Sequence, residues 1–265
     1  MIETGKLNSK KISKYLTEGN RFDGRKPDEF RKITIETGVS KNAEGSARVK
    51  IGKTEVIVGV KMDVGTPFPD NPTKGNLVVG AELSPISSPH FESGPPKIQA
   101  IELGRVTDRG VRESKYIDFE KLCIKEGEKV WNVYVDVYTV NDDGNLFDAA
   151  SIGAFAALRN AKLPKYVLEE EKLYHELTDT PLPLSHDIAP LAVTIYKIGD
   201  NLIVDPTREE EDNCDMRITT GGRDDRIFSM QKGLIGTLSI EQMEKALDMA
   251  VEVRQKIAHE LKGQI

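Results

Sequence analysis

Three arginines recur at helical spacing in the segment Arg105-Val-Thr-Asp-Arg109-Gly-Val-Arg112-Glu-Ser114. At roughly 100° per residue, Arg105, Arg109 and Arg112 share one narrow stripe. Ala100, Leu103, Val106, Gly110 and Ser114 fall on the opposite side, the expected buried face. A packed helix offering three guanidiniums suits a phosphate backbone, because arginine stays charged and its planar fork matches phosphate oxygens. The same spacing suits a solvated face laced by Glu102–Arg105 and Asp108–Arg112 pairs, worth roughly 0.2–0.5 kcal/mol each. Spacing alone leaves both readings open.

A second candidate is acidic. Asp205-Pro-Thr-Arg-Glu-Glu-Glu-Asp212 is followed closely by Asp215. Asp205, Glu211, Asp212 and Asp215 could gather round Mg²⁺, which prefers hard oxygen ligands, or supply a general acid. They could equally form a solvated acidic loop after a strand. No lysine P-loop, Gly-x-Ser-x-Gly elbow or His-Glu-x-x-His occurs. His90, His175, His186 and His259 are dispersed and read as surface or cap residues. Cys123 and Cys214 lie far apart with no Cys-x-x-Cys, which argues against a thiol metal or redox centre.

These residues need elements to hold them. The 265-residue chain can bury a sizeable core, and its net charge of -6 argues against non-specific coating of nucleic acid, so any polyanion site must be local. No apolar run reaches membrane-spanning length and Met1–Lys14 lacks a signal-peptide core, so a cytoplasmic location with no membrane association is expected. Lys6–Leu16 reads as a short basic helix, followed by the turn-rich connector Arg21–Pro27. Gly45–Val60 reads as a hairpin with a type II′ turn at Gly52-Lys53. Gly65–Gly75 and Pro85–Pro96 are loops, and the arginine helix begins near Ile98. Val130–Val140 is the clearest strand, with Trp131, Val133, Val135 and Val137 on one face and Asn132, Tyr134, Asp136 and Tyr138 on the other. Asp143-Gly144 turns the chain into a small-residue helix, Leu146–Asn160, stopped by Pro164. After a polar segment, Lys165–Ser185, a second hairpin spans Leu191–Val204. The final helix starts at Ser239, whose capping box uses Gln242. Met243, Ala246, Leu247, Ala250, Ile257 and Leu261 form its apolar stripe, and Gly263 its C-cap. The pattern predicts an α+β fold of two related β-sheet/helix halves.

Arg21-Phe-Asp-Gly-Arg25, then Gly45-Ser-Ala47 before a Gly-Lys-Thr hairpin, resembles the opening of the RNase PH family. The order of later segments fits that family to the end of the chain. The resemblance implies an RNase PH-like fold with an N-terminal helical extension. Its parts would be residues 1–30 (helix and connector), 31–165 (first half) and 166–265 (linker and second half). Members degrade RNA from the 3′ end by phosphorolysis, in which inorganic phosphate attacks the last phosphodiester and releases a nucleoside diphosphate. Within the family, Ile101–Ser114, Ile117–Cys123 and Val204–Glu211 are similar to the non-catalytic ring subunit of the archaeal exosome. That branch implies a heterodimer with a catalytic RNase PH-like subunit, three of which make a hexameric ring. RNA-binding cap subunits would sit on one face, and single-stranded RNA would thread the central channel.

Active members carry a Ser/Thr/Arg-rich stretch after the Asp-Gly turn, where hydroxyls and helix N–H groups bind phosphate. Here Leu146, Phe147 and Asp148 stand there, giving a degenerate phosphate site. Active members also carry two aspartates six residues apart; here Asp205 is followed by Glu211 and Asp212, a vestigial acidic site. The expectation is a catalytically silent structural subunit, with no catalytic residues, metal or cofactor. Arg109 and Arg112, with Arg105, would contact RNA backbone. The alternatives are an independently active phosphate-dependent 3′-to-5′ exoribonuclease, with Mg²⁺ at Asp205 and Asp212, and a small-molecule enzyme on a similar fold.

Overall fold

Strict alternation in β6 (Lys129–Asn141) builds the first half: Trp131, Val133, Val135 and Val137 are buried, while the residues between them are partly or largely exposed. The computed structural model describes residues 11–186, 189–262 and 264. β1 (Ile33–Thr37), β2 (Gly45–Ile51), β3 (Thr54–Gly65), β6 and β4 (Asn76–Glu82) lie side by side in that order, with β5 (Cys123–Lys125) also paired to β6. β4 runs parallel to β6; the other pairs are antiparallel. Ile51 faces Thr54, leaving Gly52-Lys53 as the two-residue turn, with Gly52 at φ 58°. The second half is a four-stranded antiparallel sheet in the order β10 (Asn201–Val204), β9 (Leu191–Ile198), β11 (Met216–Arg223), β12 (Arg226–Gly233).

The helix α3 (Leu146–Arg159) lies between the two sheets, packed on β2 and β3 on one side and β9 on the other. That placement explains its composition. Every residue from Leu146 to Leu158 is buried, so no polar face is needed. Close approach demands small residues: a Cβ on Gly153 would come within 2.6 Å of Val58 Cγ2. One hydrophobic core therefore runs through both halves.

Helix α2 (Ile98–Glu113) packs against β4 and α3, and α5 (Ile240–Glu260) covers β9 and β11. The Ser239–Gln242 capping box is present at the start of α5. Arg254 of α5 is buried, bonding the Leu191 and Thr220 carbonyls, and burial lowers its pKa to about 10. Gly263, the expected C-cap, lies outside the described residues, as do Lys6–Lys10 of the expected basic helix. The described part of that extension, α1 (residues 11–17), buries Ile12 and Leu16 against Tyr196, Ile198 and Ile203.

Three expectations change. Residues 165–185 are not a plain link: most of them join β7 (Lys162–Val167) and β8 (Lys172–Pro181), a two-stranded sheet. Pro164 does not stop α3, which ends at Arg159 with Asn160 as its C-cap; the proline sits inside β7, where the register shifts. The acidic stretch is not an open loop. Arg208–Glu211 forms a short helix, α4, closed by a Thr207–Glu210 capping box.

Candidate functional site

The turn that delivers α3 is tightly specified. Gly144 has φ 87°, and a Cβ there would come 2.5 Å from the Pro206 carbonyl. Only glycine satisfies both the backbone angle and this approach of the second half. Asn145 follows at φ 63° and makes no side-chain cap. Its backbone N–H instead donates to Glu211 Oε2 at 3.0 Å. A carboxylate of the chain itself thus lies where the helix N-terminus would attract an anion.

Around this point is a cavity of about 290 Å³. Its lining includes Leu146, Phe147, Tyr196, Arg208, Glu211 and Arg217. Both arginines are already engaged. Arg208 pairs with Asp142 at 3.0 Å, Glu211 at 3.4 Å and Asp212 at 2.7 Å. Arg217 pairs with Glu102 at 2.7 Å and lies over the Phe147 ring, 4.6 Å from its centroid. Burial raises the Glu211 pKa although Arg208 opposes it. Tyr196, buried beside Glu211, is held well above the usual phenol range by that burial and then by the carboxylate's charge. With Glu102 and Asp212 also in its wall, the cavity carries three carboxylates against two guanidiniums, so an incoming phosphate meets net repulsion.

Leu146 and Phe147, two of the three residues expected to form a degenerate phosphate site, line this cavity. Asp148 does not. Its carboxylate turns into the core and accepts from Thr194 N at 3.2 Å and Thr194 Oγ1 at 2.7 Å, tying α3 to β9. It therefore acts as a tether between the halves rather than as a group repelling phosphate. Burial pushes its pKa up to about 7.

The acidic trio is separated by the fold. Asp205 is fully buried and turned toward the N-terminal connector. Its oxygens accept from Arg25 at 2.9 Å, from the Arg31 backbone and guanidinium at 2.7–2.8 Å, and from Asn145 at 3.0 Å. Burial opposes its charge, but hydrogen bonds and charge from Arg31, with Arg25, prevail and lower its pKa. Glu211 faces the cavity, and Asp212 pairs with Arg208. Asp215 accepts from Gly199 N at 2.7 Å. The Mg²⁺ alternative therefore loses Asp205 as a ligand. Arg21, the other arginine of the connector motif, is buried, grips Glu210 with Nε and Nη2, and bonds the Val204 and Asp205 carbonyls. Arg31, Arg208 and Arg217 escaped sequence reasoning, since no local spacing marks them. The Thr-x-x-Glu capping signature of α4 was a signal that could have placed Glu210 and Glu211.

The arginine stripe forms as a stripe: Arg105, Arg109 and Arg112 are all exposed on α2. Its buried face is Ala100, Leu103, Gly104, Thr107 and Val111, with Ser114 beyond the end, rather than Val106 and Gly110. Helical side chains lean toward the N-terminus, which rotates the covered surface from the simple projection. Arg112 is held by Asp108 at 2.7 Å and by the Leu77 carbonyl at 3.1 Å. Among the described residues Arg109 reaches only Gln231, at 3.5 Å. Arg105 has no partner among the described residues, because Glu102 pairs with Arg217 instead.

Residues 29–164 match the model of the 3′ exoribonuclease family, domain 1, and residues 189–253 match domain 2. The exosome complex component Rrp42 of Methanocella arvoryzae is 47% identical, over 95% of this chain and 94% of its own. Its counterpart in Thermoplasma acidophilum is 48% identical, over 90% and 89%. Among solved structures, a chain of the Archaeoglobus fulgidus exosome with RNA bound to the active site aligns with TM-score 0.89 and 42% identity, covering 98% of this chain and 99% of its own. A chain of an archaeal exosome core aligns with TM-score 0.84 and 38% identity, covering 98% of each.

Proposed function

The chain belongs to the RNase PH family of 3′ exoribonucleases, and from that premise we propose that it is a ring subunit of an archaeal exosome that does not itself cut RNA. The observation that carries this reading is the occupied N-terminus of α3. Phosphorolysis needs inorganic phosphate held against the scissile bond. Here Glu211 takes the Asn145 N–H, Leu146 and Phe147 present hydrocarbon, and Arg208 and Arg217 are neutralised by internal carboxylates.

The subunit's first role is structural. It pairs with a catalytic RNase PH-like subunit, alternates with it in a hexameric ring, and holds that partner's site in shape. RNA-binding cap subunits join one face of the ring, and the assembly works in the cytoplasm. Its second role is contact with single-stranded RNA through Arg105, Arg109 and Arg112. Such contacts position the backbone without reading bases, so binding is sequence-tolerant and salt-sensitive. Arg105 and Arg109 carry the larger share, because Asp108 and the Leu77 carbonyl already engage Arg112.

The test is direct. The purified chain is incubated with labelled RNA, phosphate and Mg²⁺, alone and after assembly with the catalytic paralogue. Nucleoside diphosphates are expected only from the assembly. Robust release by the chain alone would establish the independently active exoribonuclease instead.

A further inference from the structure

The outer face of the first sheet carries side chains that neither the cavity beside α3 nor the arginine stripe uses. Strand register sets Asp136 of β6 between Gly59 of β3 and Gly80 of β4. Tyr134 and Tyr138 lie on the same face, one step to either side along β6. Beside Tyr134 are Lys61 and Val78; beside Tyr138 are Ile57 and Glu82. The result is a trough across three strands, floored by two glycines and a carboxylate and walled by two tyrosines. A Cβ on Gly80 would stand 3.0 Å from Asp136 Oδ1, so glycine keeps the trough open. One end meets a cavity of about 350 Å³ under the loop that carries Phe91 and Pro95.

The charge of this trough is uncompensated. Asp136 has no hydrogen-bond or ion-pair partner among the described residues, and burial alone raises its pKa. Glu82, exposed nearby, likewise has no side-chain partner there. Lys97, which lines the cavity, is paired with Glu92 at 2.5 Å. The face is also unusually apolar for one left to water. Tyr138 and Val78 are each 46% exposed. Among the described residues no helix crosses it, since α3 packs on the opposite side of the sheet and α2 against β4 and α3.

We infer that this face is a protein-docking surface whose occupant is a neighbouring subunit of the ring, which lays an arginine side chain in the trough over Asp136, between Tyr134 and Tyr138. The inference rests on the ring-subunit reading and adds to it the face and the chemistry of the contact. A guanidinium over Asp136 meets a carboxylate beneath it and the Tyr138 ring, which lines the same cavity. Carboxylates without a cation repel phosphate, so the face does not suit RNA.

The test co-expresses the chain with its catalytic paralogue and reads the ring by sedimentation and native mass spectrometry. Asp136→Lys reverses the charge, Asp136→Asn removes it at constant shape, and Glu244→Lys on the exposed side of α5 is the control. Asp136→Asn is expected to weaken association about tenfold and Asp136→Lys by at least about a hundredfold, with Glu244→Lys neutral. Thermal melting of each chain checks folding; if Asp136→Lys fails to fold, the isosteric Asn variant decides. If the wild-type ring forms and both Asp136 variants assemble equally well, the docking face is refuted while the ring reading stands. If the wild-type chain does not associate at all, both fall.

Discussion

Substituting Asp148 by asparagine should make the chain less sensitive to alkaline pH. The carboxyl is fully buried and bonded by both oxygens to Thr194. Burial dominates and lifts its pKa from 3.8 to about 7. Below about pH 4, folded and unfolded chains both hold the proton, and the group costs nothing. As pH rises toward 7 the unfolded chain ionises freely while the folded one resists, so stability is lost through that window. At about 1.36 kcal/mol per unit, the full loss is on the order of 4 kcal/mol, and the part between pH 5 and pH 8 is roughly 2–3 kcal/mol. Asparagine can keep both contacts: its carbonyl accepts the Thr194 N–H, and its amide donates to Thr194 Oγ1. That hydroxyl then donates to Thr219 Oγ1, 2.9 Å away. Urea unfolding of wild type and Asp148→Asn at pH 5 and pH 8 measures the effect, because other titrating groups cancel in the difference. The variant should gain on wild type by roughly 2–3 kcal/mol between the two pH values. A difference independent of pH would refute the reasoning, since it would mean that Asp148 is not held protonated by burial.

Other expectations follow from the same geometry. Arg109→Glu, and more so Arg105→Glu with Arg109→Glu, should weaken RNA binding by the assembled ring and lower its salt slope by about one per lost phosphate contact; salt-dependent binding curves measure this. Arg21→Met leaves Glu210 buried without its cation and should cost about 3–5 kcal/mol in denaturant unfolding, whereas loss of an exposed pair such as Lys256–Asp28 should cost under about 1 kcal/mol. Gly144→Ala combines a left-handed φ with a clash against the Pro206 carbonyl and should destabilise by more than about 2 kcal/mol, read as a fall in melting temperature.

The legible parts of this fold were the local ones. The hairpin at Gly52-Lys53, the alternation of Trp131–Val137 against Asn132–Tyr138, and the Ser239–Gln242 cap each depend on residues a few positions apart. The small residues of α3 also announced close packing, although not that two sheets would enclose the helix. The Thr207–Glu210 cap was equally local, yet a run of carboxylates reads as a ligand set or a solvated loop before it reads as a helix start.

The sequence by itself determined most of the strands and helices and the family, because each is written in consecutive or periodically spaced residues. Only the tertiary structure decided what the charges do. Asp205 meets Arg31 across 174 residues and Arg21 meets Glu210 across 189. A carboxylate ligates, caps or pairs according to the group within about 3 Å of it. Spacing along the chain does not encode that neighbour, so the acidic run dispersed into an arginine-bound core residue, a helix-capping Glu211 and a paired Asp212.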